Sequence, residues 1–452
     1  MKRVLVANRG EIAVRVIRAC HELGLEAVAV YSTADREGAW LRLADRAVCI
    51  GPPAARDSYL SHGNVIGAAE TTGCDALHPG YGFLSESPQF VRTCEDNDIV
   101  FIGPTADSME VLGDKSLAKA AMRTAGMPLV PGSEGRLASV DQARSVAGEV
   151  GYPVLLKAAS GGGGRGMRPV ADPSELESAY ATATAEAQAA FGDGGLYLEK
   201  IVVDAHHVEV QVVGDGEGGA LVVGERECSV QRRHQKLLEE SPSPFLSEAA
   251  RTQLYDAALG AVRSTKYRNA GTIECLLGAD QSFYFMEMNT RLQVEHPVSE
   301  QVTGIDLVRA QLQLAMGKGL PQQGIAPARG HAIEFRINAE DPSRGFMPSP
   351  GPLRRFRPPL GRGVRVDTHG YEGYTVPPNY DSLVAKLIVS DDDRDAALAR
   401  AGQALAEFEV EGISTTIPLF REMVTSEPLF RSGVYTTAYL EEAAGRLSSL
   451  SA

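Results

Sequence analysis

Short apolar runs recur along the chain, and between them lie stretches in which apolar residues return every three or four positions. Val4-Leu-Val-Ala7 is the first run; Asn8-Arg-Gly10 then opens a stretch carrying Ile12, Val16, Ile17 and Cys20 at helical spacing, Gly24 stops it, and Ala27 to Val30 form the next run. Runs of this length predict buried strands, and the longer period predicts a helix. Strand, helix and strand alternate as far as Phe101-Ile-Gly-Pro104, which predicts an open, mostly parallel sheet with helices on its faces. The first turn lacks G-x-G-x-x-G and so carries no dinucleotide fingerprint. The loop His78-Pro-Gly-Tyr-Gly-Phe-Leu-Ser-Glu86 is either a tight turn packed by its rings or a ligand loop, since loops at the carboxyl ends of such strands are favoured ligand positions.

A second alternation follows. Gly113-Asp-Lys115 opens a helical stretch through Ala118, Ala121 and Met122, and Pro128 to Gly135 reads as a linker. Gly151-Tyr-Pro-Val-Leu-Leu-Lys157 predicts a strand ending in lysine, followed by the glycine-rich 161–166 and a returning strand, Met167-Arg-Pro-Val170. Glycines between two strands fit neither a Rossmann turn nor a P-loop. As a flap they bring backbone N–H groups close to phosphate oxygens and can open and close; a plain flexible linker is the alternative. After a helix over 175–190, the backbone of Leu196-Tyr-Leu-Glu-Lys200 suits the edge of an adenine, with Glu199 accepting from the exocyclic amine. Val208 to Val213 and Ala220 to Val223 form a hairpin about Gly214 to Gly219. The charged run Glu225 to Lys236 reads by itself as a solvated face, although His234 and Lys236, two apart in an extended chain, would point toward one anion.

The next hairpin is the most informative. Ala270 to Leu277 and Phe283 to Met286 are strands joined by Gly278 to Ser282, and alternation puts Glu287 and Asn289 on one face with Glu274 nearby. Two carboxylates and a carboxamide suit Mg²⁺; a solvated face with scattered acids is the plainer reading. Arg291, Gln293, Glu295 and His296 follow, with only Leu292 and Val294 fit for packing, so the segment reads as a site. In His331 to Asn338, Ile333, Phe335 and Ile337 form one face and Glu334, Arg336 and Asn338 the other, so Arg336 either pairs with an acid or orients an oxyanion. Strands at Tyr374 to Val376 and Ser382 to Val389, a helix from Arg394 to Phe408 and a frayed tail from Leu447 complete the chain, which has no internal repeat.

Composition narrows the function. A chain of 452 residues, 44% hydrophobic and 23% charged, predicts a globular protein of two to three domains. A net charge of −14 argues against nucleic acid and anionic membrane as general partners. Six scattered cysteines without C-x-x-C, an N-terminus running straight into a strand and no segment of transmembrane length predict a cytoplasmic enzyme with reduced thiols.

A glycine flap preceded by Lys157, a paired-carboxylate hairpin and a second lysine at Lys115 resemble the ATP-grasp superfamily, and within it the biotin carboxylase family. The resemblance covers nearly the whole chain. It is carried by Ala7-Asn-Arg-Gly-Glu-Ile, His78 to Glu86, Lys157 with its flap, Gln231-Arg-Arg-His-Gln-Lys236, Glu287-Met-Asn-Thr-Arg-Leu-Gln-Val-Glu-His-Pro297, Arg336-Ile-Asn-Ala-Glu-Asp and Tyr380-Asp-Ser-Leu. It implies an α/β and α+β protein: an N-terminal open parallel α/β domain (1–113), an ATP-grasp domain (114–328) with a mobile glycine-rich lid at about 130–202, and a C-terminal mixed α+β domain (329–445). It implies that ATP activates bicarbonate as carboxyphosphate and that carrier-bound biotin is then carboxylated, as the first half-reaction of an acyl-CoA carboxylase in fatty acid (malonyl-CoA) synthesis, or of a propionyl-CoA or pyruvate carboxylase.

By motif position, Lys115, Lys157, Gly163, Gly164, Met167, Glu199, Lys200, Val202, His207, Gln231, His234 and Leu276 would hold ATP, and Glu274, Glu287 and Asn289 would hold Mg²⁺ or Mn²⁺. Lys236, Arg291, Gln293 and the backbone of Val294 would hold bicarbonate, Glu295 would deprotonate it, and Arg336 would stabilise the enolate-like oxygen of biotin with Tyr81 and Asp381 nearby. The chain has no Ala-Met-Lys-Met-type biotinylation segment, so the implied partners are a separate biotin carboxyl carrier protein or domain, a carboxyltransferase subunit and a second copy in a homodimer. The competing readings are another ATP-grasp ligase, which should lack the Arg291-to-Glu295 and Arg336 motifs, and a catalytically dead nucleotide-binding subunit, against which Glu287, Asn289 and Glu295 argue.

Overall fold

Five strands, β1 (Arg3–Val6), β2 (Glu26–Ser32), β3 (Arg46–Gly51), β4 (Ala76–His78) and β5 (Val100–Phe101), form a sheet in the order β3-β2-β1-β4-β5, parallel throughout. Val4, Leu5 and Val6 are wholly buried, as expected of a strand covered on both faces. Helix α1 (Gly10–Glu22) packs on this sheet through Ile12, Val16, Ile17 and Cys20, the predicted stripe. The strand order reverses about β1 and β4, so the loops leaving their carboxyl ends diverge and open a crevice. Asn8 ties the two loops together, its Nδ2 donating to the backbone oxygens of Pro79 and Tyr81, each at 2.7 Å.

The computed structural model describes residues 1–159 and 166–450; Gly163 and Gly164 of the glycine flap lie outside the described residues. The chain divides into two compact units, one of Met1–Met127, His206–Cys275 and Glu287–Ala452, the other of Pro128–Ala205 with Leu276–Met286.

The second unit holds β6 (Val154–Ala158), β7 (Met167–Val170) and β8 (Leu196–Lys200) in an antiparallel sheet ordered β7-β6-β8. Helices Val140–Val150 and Leu176–Phe191 cover it through Ala143, Ala147, Ala179 and Ala183. Pro128 to Gly135 is not the free linker the sequence suggests: Leu129 bridges Phe285, and Gly132 bridges Glu199. A Cβ on Gly132 would sit 2.2 Å from the Leu198 backbone oxygen, so only glycine allows that approach.

Most of a large mixed sheet lies in the first unit. Its strands β9 (His206–Asp215), β10 (Ala220–Arg232), β11 (Gln235–Ser241), β12 (Arg268–Leu277) and β13 (Phe283–Asn289) continue into the strands His331–Asn338, Leu383–Asp391 and Val364–Thr368, in the order β13-β12-β9-β10-β11 and then those three. Ile333, Phe335 and Ile337 join Leu387, Leu398, Leu405 and Phe420 in the C-terminal core, as alternation predicts. The tail is not frayed at Leu447, which is buried; Ser448 and Ser449 donate backbone N–H groups to the Glu422 carboxylate at 2.7 and 2.9 Å. Among the described residues no helix is long and apolar enough to cross a membrane.

Candidate active site

The first half of the charged run, Glu225 to Ser229, is not a solvated face, although Arg233 to Gln235 are exposed. It lies in the interior of β10, flanked by β9 and β11, and Glu225, Arg226, Glu227 and Ser229 are at most 1% exposed. Strand alternation separates its charges. Glu225 faces the helix Glu248–Ser264, accepting from Arg251 Nε at 2.8 Å, while Arg226 faces the other side. Charge density alone does not show that a strand is central; the apolar residues on both sides of the run, Val222-Val223 and Leu237-Leu238, are the overlooked signal.

Arg226 organises that second face. Its five N–H groups donate to Glu209 (2.5 Å), Gln211 (2.8 Å), Ser299 (3.0 Å), Thr272 (3.3 Å) and Gln293 (3.0 Å), using the whole donor fork of a guanidinium. Arg226 lies directly opposite Glu209 in the sheet register, so their pairing follows from the fold. Gln293 in turn donates to Glu274 Oε1 at 2.7 Å.

Beside this frame Lys236 spends its three N–H groups on three carboxylates: Glu209 at 2.5 Å, Glu295 at 2.7 Å and Glu274 at 2.8 Å. The expected alignment of His234 with Lys236 does not occur. Arg233 and His234 both have positive φ (49° and 67°) in the two-residue turn between β10 and β11, so the chain is not extended there. His234 is exposed, whereas Gln231 stands directly opposite Lys236 in the register.

Glu295 is held from two sides, by Lys236 and by Arg336 Nη2 at 3.0 Å. Burial would push its carboxyl up, but the charges of Lys236, Arg336 and Arg226 outweigh burial and hold it well below the usual carboxylate range. Glu239, which also contacts Arg336, goes the other way: burial, reinforced by the Glu295 charge, pushes it up to about 7 against the pull of Arg336. The buried cluster has four carboxylates (Glu209, Glu239, Glu274, Glu295) and three cations (Lys236, Arg226, Arg336), and Glu239 is the acid best placed to keep a proton.

Arg291 donates to Glu86 Oε2 and to Asn289 Oδ1, each at 2.9 Å, and Glu86 Oε1 also accepts the Thr290 backbone N–H at 3.1 Å. The loop after β4 therefore braces the start of the 290–295 segment. A cavity of about 430 Å³ opens at the switch point of the parallel sheet, where Arg291, Val294 and Arg336 meet Tyr81 and Asp381. These are five of the eight residues expected at the bicarbonate and biotin site; Lys236, Gln293 and Glu295 adjoin them through the contacts above.

Glu274, Glu287 and Asn289 carry oxygen donors of the kind a hard divalent cation takes, with Asn289 Oδ1 engaged by Arg291 in this arrangement. Asn289 Nδ2 donates to Glu274 Oε1 at 2.9 Å, while Glu274 Oε2 lies 3.1 Å from His207 Nε2. The carboxyl of Glu287 is exposed on one side, yet partial burial and the neighbouring Glu274 charge push it up, a repulsion that a cation would relieve. Lys115 stands exposed at the first residue of the helix Lys115–Thr124, close enough for its charge to act on Glu287.

The remaining nucleotide candidates lie in the second unit. Lys157 on β6 is paired with Glu199 on β8, its cross-strand neighbour but one in register. Lys200 donates to the backbone oxygens of Gly151 and Tyr152, each at 2.8 Å. Met167 is exposed, and Val202 and Leu276 are half-buried. Sequence reasoning missed Glu86, Glu209, Arg226 and Glu239. Their partners lie far away in sequence, and only the folded chain reveals them.

Three family models match the chain in order: biotin carboxylase, N-terminal domain, over residues 1–109; carbamoyl-phosphate synthase L chain, ATP binding domain, over 114–323; and biotin carboxylase C-terminal domain over 334–442. A biotin carboxylase of Pseudomonas aeruginosa is 52% identical over 447 residues, 98% of this chain and 99% of that one. The biotin carboxylase of Campylobacter jejuni, solved as a β,γ-ATP complex, superposes with a TM-score of 0.91 at 48% identity, covering 98% of each chain. The biotin carboxylase domain dimer of the Hydrogenobacter thermophilus 2-oxoglutarate carboxylase, solved with MgADP, ADP and bicarbonate, gives 0.88 at 45% identity and covers 98% of this chain and 97% of that one.

Proposed function

Because the chain belongs to the biotin carboxylase family of ATP-grasp ligases, serving biotin-dependent carboxylases, we propose that it uses ATP and bicarbonate to carboxylate biotin on a separate carrier, through carboxyphosphate. The observation that carries this reading is the grip on Glu295, a buried carboxylate clasped between Lys236 and Arg336 at the edge of a cavity lined by Arg291 and Arg336.

In the resting arrangement Glu295 is a weak base, because Lys236 and Arg336 both stabilise its charge. Lys236 has no spare N–H, so it holds an incoming anion only by releasing a carboxylate. Release of Glu295 both binds bicarbonate and restores the basicity that Glu295 needs to remove the bicarbonate proton. The bicarbonate oxygen then attacks the γ-phosphorus as the bond to ADP breaks. Arg291 and Gln293 orient the anion, and Arg336, with Tyr81 and Asp381 beside it, stabilises the enolate-like oxygen of biotin when its nitrogen loses a proton. Glu274, Glu287 and Asn289 would hold Mg²⁺ or Mn²⁺, which neutralises phosphate charge when bound. Lys115, His207, Gln231 and His234 in the first unit and Lys157, Glu199, Lys200, Met167, Val202 and Leu276 in the second are assigned to the nucleotide by motif position.

For the acceptor of the holoenzyme, the assigned reading is an acyl-CoA carboxylase making malonyl-CoA for fatty acid synthesis, with a carrier protein, a carboxyltransferase and a homodimeric state. A 2-oxo-acid carboxylase is the second reading, favoured by the 45% identity to a 2-oxoglutarate carboxylase domain. The test of the first half-reaction is ADP release with and without bicarbonate and free biotin; absence of stimulation by both refutes it. Identifying the biotinylated protein that co-purifies with the chain separates the two acceptors.

A further inference from the structure

The strand Leu383–Asp391 carries a lysine that none of the steps above uses. Lys386 is fully buried, and its Nζ donates to the backbone oxygen of Val294 at 2.8 Å and lies 3.2 Å from Glu11 Oε1. Glu11, buried in the first turn of α1, accepts the Tyr81 hydroxyl on that same oxygen. A chain of contacts thus runs from Tyr81 on the cavity wall through Glu11 and Lys386 to Val294.

The register gives this chain its meaning. Lys386 is paired directly with Arg336 on the adjacent antiparallel strand, and directly paired residues project from the same face. The two cations of one rung hold consecutive residues: Lys386 takes the Val294 carbonyl, and Arg336 takes the Glu295 carboxylate. A buried ammonium is costly unless paired, so an apolar residue would serve packing better. Burial would strip its proton, but Glu11, Glu334 and Asp367 outweigh burial and the repulsion of Arg365, so Lys386 stays charged.

We infer that Lys386 is a positioning residue for the anion pocket: held by Glu11, it pins the Val294 carbonyl and so fixes the 293–295 segment in register with Tyr81. The inference rests on reading Arg291, Gln293, Val294 and Glu295 as the bicarbonate site. If the pin is lost, Gln293 and Glu295 drift together while the Lys236 contacts to Glu209 and Glu274 remain, so the defect falls on bicarbonate rather than on ATP.

The test uses the full chain in the ADP-release assay. Lys386→Met leaves Glu11 without its cation, so Glu11→Gln/Lys386→Met, which removes both charges, is measured beside it. The double variant is expected to raise KM for bicarbonate by about ten- to a hundred-fold, the scale of misplacement by an ångström, while KM for ATP stays within about three-fold. A folded double variant with unchanged KM for bicarbonate, or with both KM values raised alike, overturns the inference. A wild-type enzyme without bicarbonate stimulation instead refutes the reaction on which it rests.

Discussion

Replacing Glu295 by Gln removes one charge and almost no volume, which makes it the sharpest probe of the cluster. In the native site Glu295 Oε1 accepts from Lys236 at 2.7 Å and Oε2 from Arg336 at 3.0 Å. After substitution Lys236 keeps Glu209 and Glu274, and Arg336 keeps Glu239, so no cation is left alone. The buried set moves from four carboxylates against three cations to three against three. The usual penalty for breaking a buried ion pair, about 3–5 kcal/mol, arises from the abandoned charge and so does not apply. Stability should fall by about 1–3 kcal/mol, because the carboxamide can accept from one cation but turns its N–H groups toward the other. Catalysis should suffer more: loss of a general base is worth about 10²–10⁴-fold, or roughly 3–5 kcal/mol of barrier. The assay is the initial rate of ADP release at saturating ATP and bicarbonate, with KM for ATP measured in parallel. Turnover within about three-fold of wild type would remove Glu295 from the role of base. A collapse in Tm would show that the charge count misjudges the cluster.

Two further outcomes follow from the same geometry. Arg336→Ala should depress carboxylation of free biotin more than bicarbonate-dependent ATP cleavage, since Arg336 is assigned to the biotin oxygen; equal loss of both rates counts against that assignment. Glu240 accepts from His331 and Tyr435 (each 2.5 Å) and from Arg394 (2.8 and 3.0 Å), and although burial opposes it, these partners bring its carboxyl down to about 2. A depressed carboxylate stabilises the fold above its unfolded pKa and loses that contribution as pH falls toward its folded pKa, here over roughly pH 4.5 to 2 and worth about 3 kcal/mol. Glu240→Gln should therefore flatten the acid limb of the Tm-versus-pH curve, and a curve parallel to wild type would sink the assignment.

The parallel N-terminal sheet and the β12–β13 hairpin were legible because their signals are local: apolar runs, helical spacing, and alternation that puts Glu287 and Asn289 on one face. Alternation also sorted His331–Asn338 correctly into a core face and a polar face. The burial of Glu225 to Ser229 was not legible, because the neighbours that pay for a buried charge come from β9, β12 and the 293–299 segment, far away in sequence. His234 was misjudged for a different reason: two residues of positive φ interrupt the extended chain on which the alternation argument depends. Tyr81 and Asp381 share a cavity although Tyr81 follows β4 of the parallel sheet and Asp381 precedes a strand of the mixed sheet, a juxtaposition that no local pattern encodes.

Arg226, with every donor committed, sets how freely this site can diverge. A change at Gln211, Thr272, Gln293 or Ser299 strands a buried N–H at a cost of about 1–3 kcal/mol, so drift at any one of these positions is constrained by a single guanidinium none of them adjoins in sequence. Positions outside that frame and without an assigned role, such as the exposed Asn379 on the cavity wall, are freer to vary. New carrier or substrate preferences are therefore expected to arise at the rim, while the frame behind it changes only by coordinated replacements.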